Sequence, residues 1–359
     1  MQPKAIAQRA ALTAILSLPR PVRRLIAGPE RTEDGQSLDL DAQVLARLDQ
    51  LLGGALDSDD GTAASARDGM AAGAFAVAGR RQPVAVVRNE LLAGPDGHTI
   101  PARRYVPLTA ERPDAGPLVA YFHGGGWVCG DLDTHDNTCR AIADATGATV
   151  VAVDYRLAPE SPYPAALDDA FAAYADLRAR AGEFGADPER IAVAGDSAGG
   201  WLAAMVCLRA AAEGIPQPSA QVLIYPVTDL VEQSRSYHLF SDGLLLTERE
   251  MQWFKDNFVP DVAARRDASP LYAELPDGLA PAFVLTAGFD PLRDEGEAYA
   301  RALSASGAPV HMRRYPGQVH GFINALGVGG ATREAIGEIA GVLRLWWAQA
   351  PDREQVSAR

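Results

Sequence analysis

The run IAVAGDSAGG at residues 191–200 constrains this chain more than any other stretch. Its first half is short, apolar and carries β-branched Ile191 and Val193, which predicts a strand covered on both faces. The apolar residues 201–208 predict a buried helix directly after it. Only a tight turn can join the two. Gly195 and Gly199 stand two residues to either side of Ser197, where such a turn leaves no room for a Cβ. The serine hydroxyl is then lifted clear of the backbone, and the Ala198 N–H points the same way, at a helix N-terminus that favours negative charge. A chain with 34 glycines also produces G-x-S-x-G by chance. The serine becomes a nucleophile only if a base and an oxyanion site exist elsewhere.

Around this turn the chain alternates. A hairpin is predicted from strands over 84–92 and 99–106 joined by Gly94-Pro95-Asp96-Gly97, and further strands over 118–122, 149–153, 220–225, 282–286 and 309–315. Helical patterns over 138–146, 167–179, 294–304 and 333–347 separate them. Strand and helix in alternation predict an α/β fold, a central mostly parallel sheet flanked by helices, with ligands at the carboxyl ends of the strands. Two regions break the pattern. Residues 1–80 lack strand-like runs and read as an N-terminal helical cap segment, loosely helical over 61–79, with the glycine-rich 53–80 expected to be mobile and to gate access. Residues 228–265 read as a helical cap insertion. The catalytic domain is then 81–227 together with 266–359.

Net charge and cysteines narrow the partners. At −13, with no dense Lys/Arg tract after residue 30, the chain is poorly suited to nucleic acid or an anionic surface. Cys129, Cys139 and Cys207 are too few and too irregularly spaced for a disulfide framework or a cysteine zinc site, so no metal is expected and a reduced, cytoplasmic setting is the default. Lys4 and Arg9 before the apolar 11–18 imitate a signal peptide, but PRPVRR at 19–24 stands where a cleavage site belongs, which predicts an amphipathic helix. No run is apolar enough for stable membrane insertion.

Six histidines are candidate bases, and His320 has the best position, in a loop just past the last strand. Two carboxylates compete to orient it: Asp290, at the turn after the preceding strand, and Asp229, after the strand ending at Tyr225. HGGG at 123–126 lets backbone N–H groups approach an oxygen unobstructed, so Gly124 and Gly125 with Ala198 are expected as oxyanion donors. Phosphate binding by this loop is disfavoured, because neither G-K-[ST] nor G-x-G-x-x-G accompanies it. Aromatic candidates for a pocket are Trp127, Tyr225, Tyr237, Phe240, Trp253, Phe254 and Phe322, with packing between cap and core as the competing role.

HGGGW at 123–127, DYRLAPE at 154–160, GDSAGG at 195–200, DPLRDEG at 290–296 and HGF at 320–322 together resemble the hormone-sensitive-lipase family of α/β-hydrolases, the bacterial family IV esterases, in the subgroup with aspartate before the nucleophile. The resemblance spans about residues 84–349. It implies the α/β-hydrolase fold with a helical cap, and hydrolysis of short- to medium-chain acyl esters without a cofactor. It also implies a Ser197–His320–Asp290 triad and oxyanion donors Gly124, Gly125 and Ala198. His123, Gly126, Trp127, Asp196, Tyr225 and Phe322 would support the site or line the substrate pocket. The implied partner is a small-molecule ester, and family members often dimerise through the last strand and its helix, so a homodimer is a possible assembly. The same fold also serves non-catalytic receptors, and the same triad serves acyltransferases and amidases.

Overall fold

In the computed structural model, residues 3–52, 61–109 and 115–349 are described. Eight strands form the central sheet: β1 (Val86–Ala93), β2 (Thr99–Val106), β3 (Gly116–Phe122), β4 (Thr149–Val153), β5 (Ala186–Asp196), β6 (Gln221–Ile224), β7 (Ala282–Phe289) and β8 (Val310–Val319). Their order across the sheet is β8-β7-β6-β5-β3-β4-β2-β1. β1 and β2 make the expected hairpin, and β2 pairs β4 antiparallel; the remaining neighbours are parallel. Every residue of β4, β6 and β7 is buried, which is why these strands are predominantly apolar.

Period-two alternation sorts each strand between two cores. Leu118, Ala120 and Phe122 of β3 pack with Ile191 and Val193 of β5 against α6 (Ala165–Ala179), α7 (Ala198–Ala212) and α10 (Arg293–Ala305). Val119 and Tyr121, with Ala192 and Ala194, face α5 (Asp136–Thr146) and α11 (Ala331–Gln349) on the other side. The sheet is thus covered on both faces, as the alternating pattern requires.

Residues before the sheet form α1 (Pro3–Leu16), α2 (Arg20–Ala27), α3 (Leu40–Leu52) and α4 (Ala63–Val77). One element differs from the expectation of helices alone: Thr32–Glu33 pairs antiparallel with Gln36–Ser37, a ladder too short to leave a periodic signal. The expected loose helix over 61–79 is a continuous helix, started by Thr62, whose hydroxyl accepts from Ser65 N–H. The glycine-rich part of the expected gate at 53–60 lies outside the described residues. Between β6 and β7 come α8 (Arg235–Leu239) and α9 (Glu248–Phe258), the latter opened by a Thr247/Glu250 capping box. Among the described residues no helix is long and apolar enough to cross a membrane.

Candidate active site

Ser197 occupies the turn between β5 and α7 with φ +57° and ψ −119°, a backbone state that a side chain other than glycine rarely adopts. Both flanking glycines are forced. A Cβ on Gly199 would lie 1.9 Å from the Phe122 carbonyl oxygen, and one on Gly195 would lie 2.3 Å from the Gly199 backbone. The strand and helix therefore close on each other without a gap, and the hydroxyl is the part left outside.

His320 follows the last residue of β8 and reaches back across the strand ends. Its Nε2 lies 2.9 Å from Ser197 Oγ and its Nδ1 lies 2.8 Å from Asp290 Oδ2. Asp290 is fully buried after β7, and its other oxygen accepts the Leu292 N–H at 2.9 Å. With Nδ1–H directed at the carboxylate, Nε2 is left to accept from the serine. Asp229 does something else: its oxygens accept from Val231 N–H, Glu232 N–H and the Tyr272 hydroxyl. The N-terminal ladder supports both loops, since Asp34 pairs with buried Arg293, Asp39 N–H donates to Gly317 O, and the Asp39 carboxylate accepts from Gln318.

The glycine loop after β3 corrects one expectation. Gly124 N–H donates to Asp196 Oδ1 at 3.1 Å, so it is engaged and not free for an oxyanion. Among the described residues the N–H groups of Gly125, Gly126 and Ala198 have no hydrogen-bond partner. Gly125 and Gly126 hold φ of +121° and +60°. Side chains from both helical regions cover them. A Cβ on Gly126 would enter the ring of Phe254 of α9 at 2.2 Å, and one on Gly125 would come within 3.1 Å of Met70 Sδ of α4.

Asp196 is buried and takes four further contacts: the hydroxyls of Tyr121 (2.7 Å) and Tyr225 (3.3 Å), Asn324 Nδ2 (3.0 Å), and His135 Nε2 (3.3 Å). Burial opposes its ionisation, but His135, Tyr121 and Asn324 outweigh it and hold the carboxyl below its ordinary range. His123 is stacked on Tyr155 at 4.3 Å and lies beside Gly124 O at 2.9 Å. Burial, with His135 nearby, pushes its pKa down to about 4, so it is neutral near pH 7 and donates to that carbonyl.

Several expected pocket residues are packing instead. Trp127 is fully buried, stacked on Phe258 at 4.2 Å and edge-on to Trp201. Phe322, Tyr237 and Phe240 are also buried, Phe322 between Tyr225 and Tyr315 and Phe240 against Phe289. Tyr225 has its ring 4.5 Å from that of His320, and Trp253 is partly exposed beside Phe254. Sequence reasoning missed Tyr121, His135, Asn324, Met70 and Arg67. Arg67 of α4 donates to Val128 O (2.8 Å) and Ala158 O (3.0 Å) and pairs both oxygens of Glu160, so it ties α4 to the glycine loop and to the DYRLAPE segment. No group of three or more His, Cys, Asp or Glu residues is arranged to hold a metal among the described residues.

A family model for the alpha/beta hydrolase fold matches residues 119–324. The chain is 44% identical over 337 residues to the carboxylic ester hydrolase LipN of Mycobacterium tuberculosis, covering 91% of this chain and 88% of LipN. It is 40% identical over 250 residues to an ethyl acetate hydrolase of Pseudomonas putida, covering 69% and 79% of the two chains. An ester hydrolase from the metagenome of Lake Arreo, solved with a bipyridine phosphonate derivative, superposes with a TM-score of 0.82 at 39% identity, covering 87% of this chain and all of the other. With this sheet, this turn and these relatives, the chain belongs to the hormone-sensitive-lipase-like, bacterial family IV carboxylic ester hydrolases of the α/β-hydrolase fold.

Proposed function

We propose that this enzyme cleaves short- to medium-chain acyl esters through an acyl-serine intermediate, and that the helices of residues 1–80 and 228–265 form the cap over its site. The observation that carries the reading is the unbroken hydrogen-bond chain from Ser197 Oγ through His320 to Asp290. Ser197 Oγ attacks the ester carbonyl as His320 Nε2 takes its proton, and Asp290 stabilises the imidazolium. The carbonyl oxygen becomes an oxyanion received by the N–H groups of Gly125, Gly126 and Ala198. His320 then protonates the departing alcohol, and a water molecule activated by the same imidazole releases the acid. Met70 and Phe254, beside the glycine loop, favour small acyl groups by bulk, in line with a relative that acts on ethyl acetate.

Turnover of p-nitrophenyl esters from acetate to palmitate, with fluorophosphonate labelling, tests the scheme. Ser197→Ala should abolish both, and Asp290→Asn should lower kcat by roughly 10³–10⁴-fold while Asp229→Asn stays within a few-fold of the parent. A labelled, active Ser197→Ala protein refutes the triad, and a preference for palmitate refutes the chain-length reading.

A further inference from the structure

The helix α2 is built inside out. At about 3.6 residues per turn, Arg20, Arg23, Arg24 and Ala27 share one side and Pro21, Val22, Leu25 and Ile26 the other. A surface helix normally turns its apolar side inward. Here Ala27 is buried, Arg23 pairs with Asp41 and Arg24 donates to Gln43 Oε1 at 2.9 Å, so it is the arginine side that lies against α3. Val22 is 41% exposed and Leu25 84%. Leu18, in the link from α1, is 37% exposed. Isolated exposed apolar residues need no explanation, but a helix whose apolar side is the one left uncovered does.

Charge identifies the occupant. Residues 1–29 contain Lys4, Arg9, Arg20, Arg23 and Arg24 and not one Asp or Glu, in a chain whose net charge is −13. Arg23 has an acidic partner, whereas Arg24 meets a neutral amide, Arg9 meets the Gly79 carbonyl and the Phe75 ring, and Arg20 is exposed. Two copies meeting through this face about a two-fold axis would set cationic segment against cationic segment. A neutral apolar partner would cover Leu25 but make no use of the missing acids. An anionic bilayer uses both: the apolar side enters the acyl boundary, the exposed Arg20 at the start of α2 reaches the phosphate level, and the remaining positive charge of residues 1–29 attracts the surface through its field.

We propose that the α1–α2 face docks on anionic phospholipid surfaces. The strongly acidic mean charge does not argue against this, because residues 1–29 carry five cations and no acid. The face stands one helix layer from the site, since Arg9 of α1 bonds to Gly79 and lies over Phe75 of α4, the helix that brings Met70 to Gly125. Docking there would bring the enzyme to esters dissolved in a membrane without a spanning helix.

Vesicle flotation of the full chain tests this. Vesicles of phosphatidylcholine with about one-third phosphatidylglycerol should retain the enzyme at least tenfold better than phosphatidylcholine alone at low salt, and high salt should release it. Val22→Glu/Leu25→Glu, at exposed positions on the side of α2 turned away from α3, should reduce retention tenfold or more with p-nitrophenyl acetate turnover unchanged. Arg20→Glu should act in the same direction. Equal retention on both vesicles, no retention, or retention indifferent to the double substitution would each overturn the proposal. So would light scattering that shows a dimer dissolved by the double substitution with no vesicle binding by the parent, which would make a second copy the occupant.

Discussion

Gly124 gives its backbone N–H to Asp196 Oδ1, so a single buried carboxylate joins the glycine loop after β3 to the serine turn after β5. The loop that presents Gly125 and Gly126 is thereby registered against the residue next to Ser197. Asp196→Ala leaves the Gly124, Tyr121 and Asn324 donors unpaired in a buried site, and should cost on the order of 3 kcal/mol of stability. It should also lower kcat by about 10–100-fold through misplaced oxyanion donors, with KM changed by only about threefold or less. Asp196→Asn should fall between, because its amide nitrogen would face Asn324 and Tyr225. Urea melts and steady-state rates on p-nitrophenyl acetate separate the effects; lost stability at full kcat would reduce Asp196 to a structural brace.

Phe254 and Gly126 occupy one another's space. A methyl group at residue 126 would enter the ring, and its φ of +60° adds a strain of about 1 kcal/mol. Gly126→Ala should therefore depress kcat/KM by about 100-fold or more, and adding Phe254→Ala should recover at least tenfold of it. Phe254→Ala alone should shift the chain-length profile toward longer acyl groups. Additive losses in the double variant would show that the ring does not limit the loop.

Arg67 holds two carbonyls as well as a carboxylate, and the two kinds of contact differ in worth. Glu160 is 61% exposed, so the ion pair by itself contributes little in water. The bonds to Val128 and Ala158 are the ones that fix α4 to the glycine loop. Glu160→Gln should leave kcat/KM within about twofold, whereas Arg67→Ala should lower it by roughly tenfold and raise amide exchange in α4. Arg67→Lys loses the planar fork that spans both carbonyls and the carboxylate, and should fall close to the alanine variant. Equal effects of Glu160→Gln and Arg67→Ala would assign the role to the ion pair.

Much of this arrangement is legible in the chain because it is set by local geometry. Continuous apolar runs mark β4 and β7, and the glycines around Ser197 mark a turn that nothing larger would fit. His320 can be named because residues just past parallel strands converge on one edge of the sheet; Asp229 also follows a strand, so telling Asp290 from it takes the family resemblance as well. What escapes such reading depends on where a distant side chain points. Nothing local distinguishes the Gly124 N–H from those of Gly125 and Gly126; the Asp196 carboxylate decides, and its own position is set by Tyr121, His135 and Asn324 from three other elements. Trp127 looks like a pocket residue by its place after HGGG, yet a stack on Phe258 buries it. α4 looks loose because Gly69 and Gly73 interrupt its alanines, while the Thr62 cap and Arg67 are what steady it.

Glu295 supplies a pH dependence of stability. It is buried with Oε1 accepting from Thr228 and Asp229 N–H, and Oε2 has no partner among the described residues. Burial pushes its pKa from 4.5 up to about 8, the two N–H donors pull the other way, and Asp229 and Asp290 add like charge. Between these values the folded chain keeps a proton that the unfolded chain has lost, so stability is full below pH 4.5 and falls as pH rises through 8. The loss should be on the order of a few kcal/mol. Glu295→Gln keeps the acceptor for both N–H groups and carries no charge. Its urea midpoint should stay flatter than the parent's from about pH 5 to 9, and exceed it at the alkaline end. Parallel curves for the two proteins would mean that Glu295 is already ionised in the folded state at neutral pH.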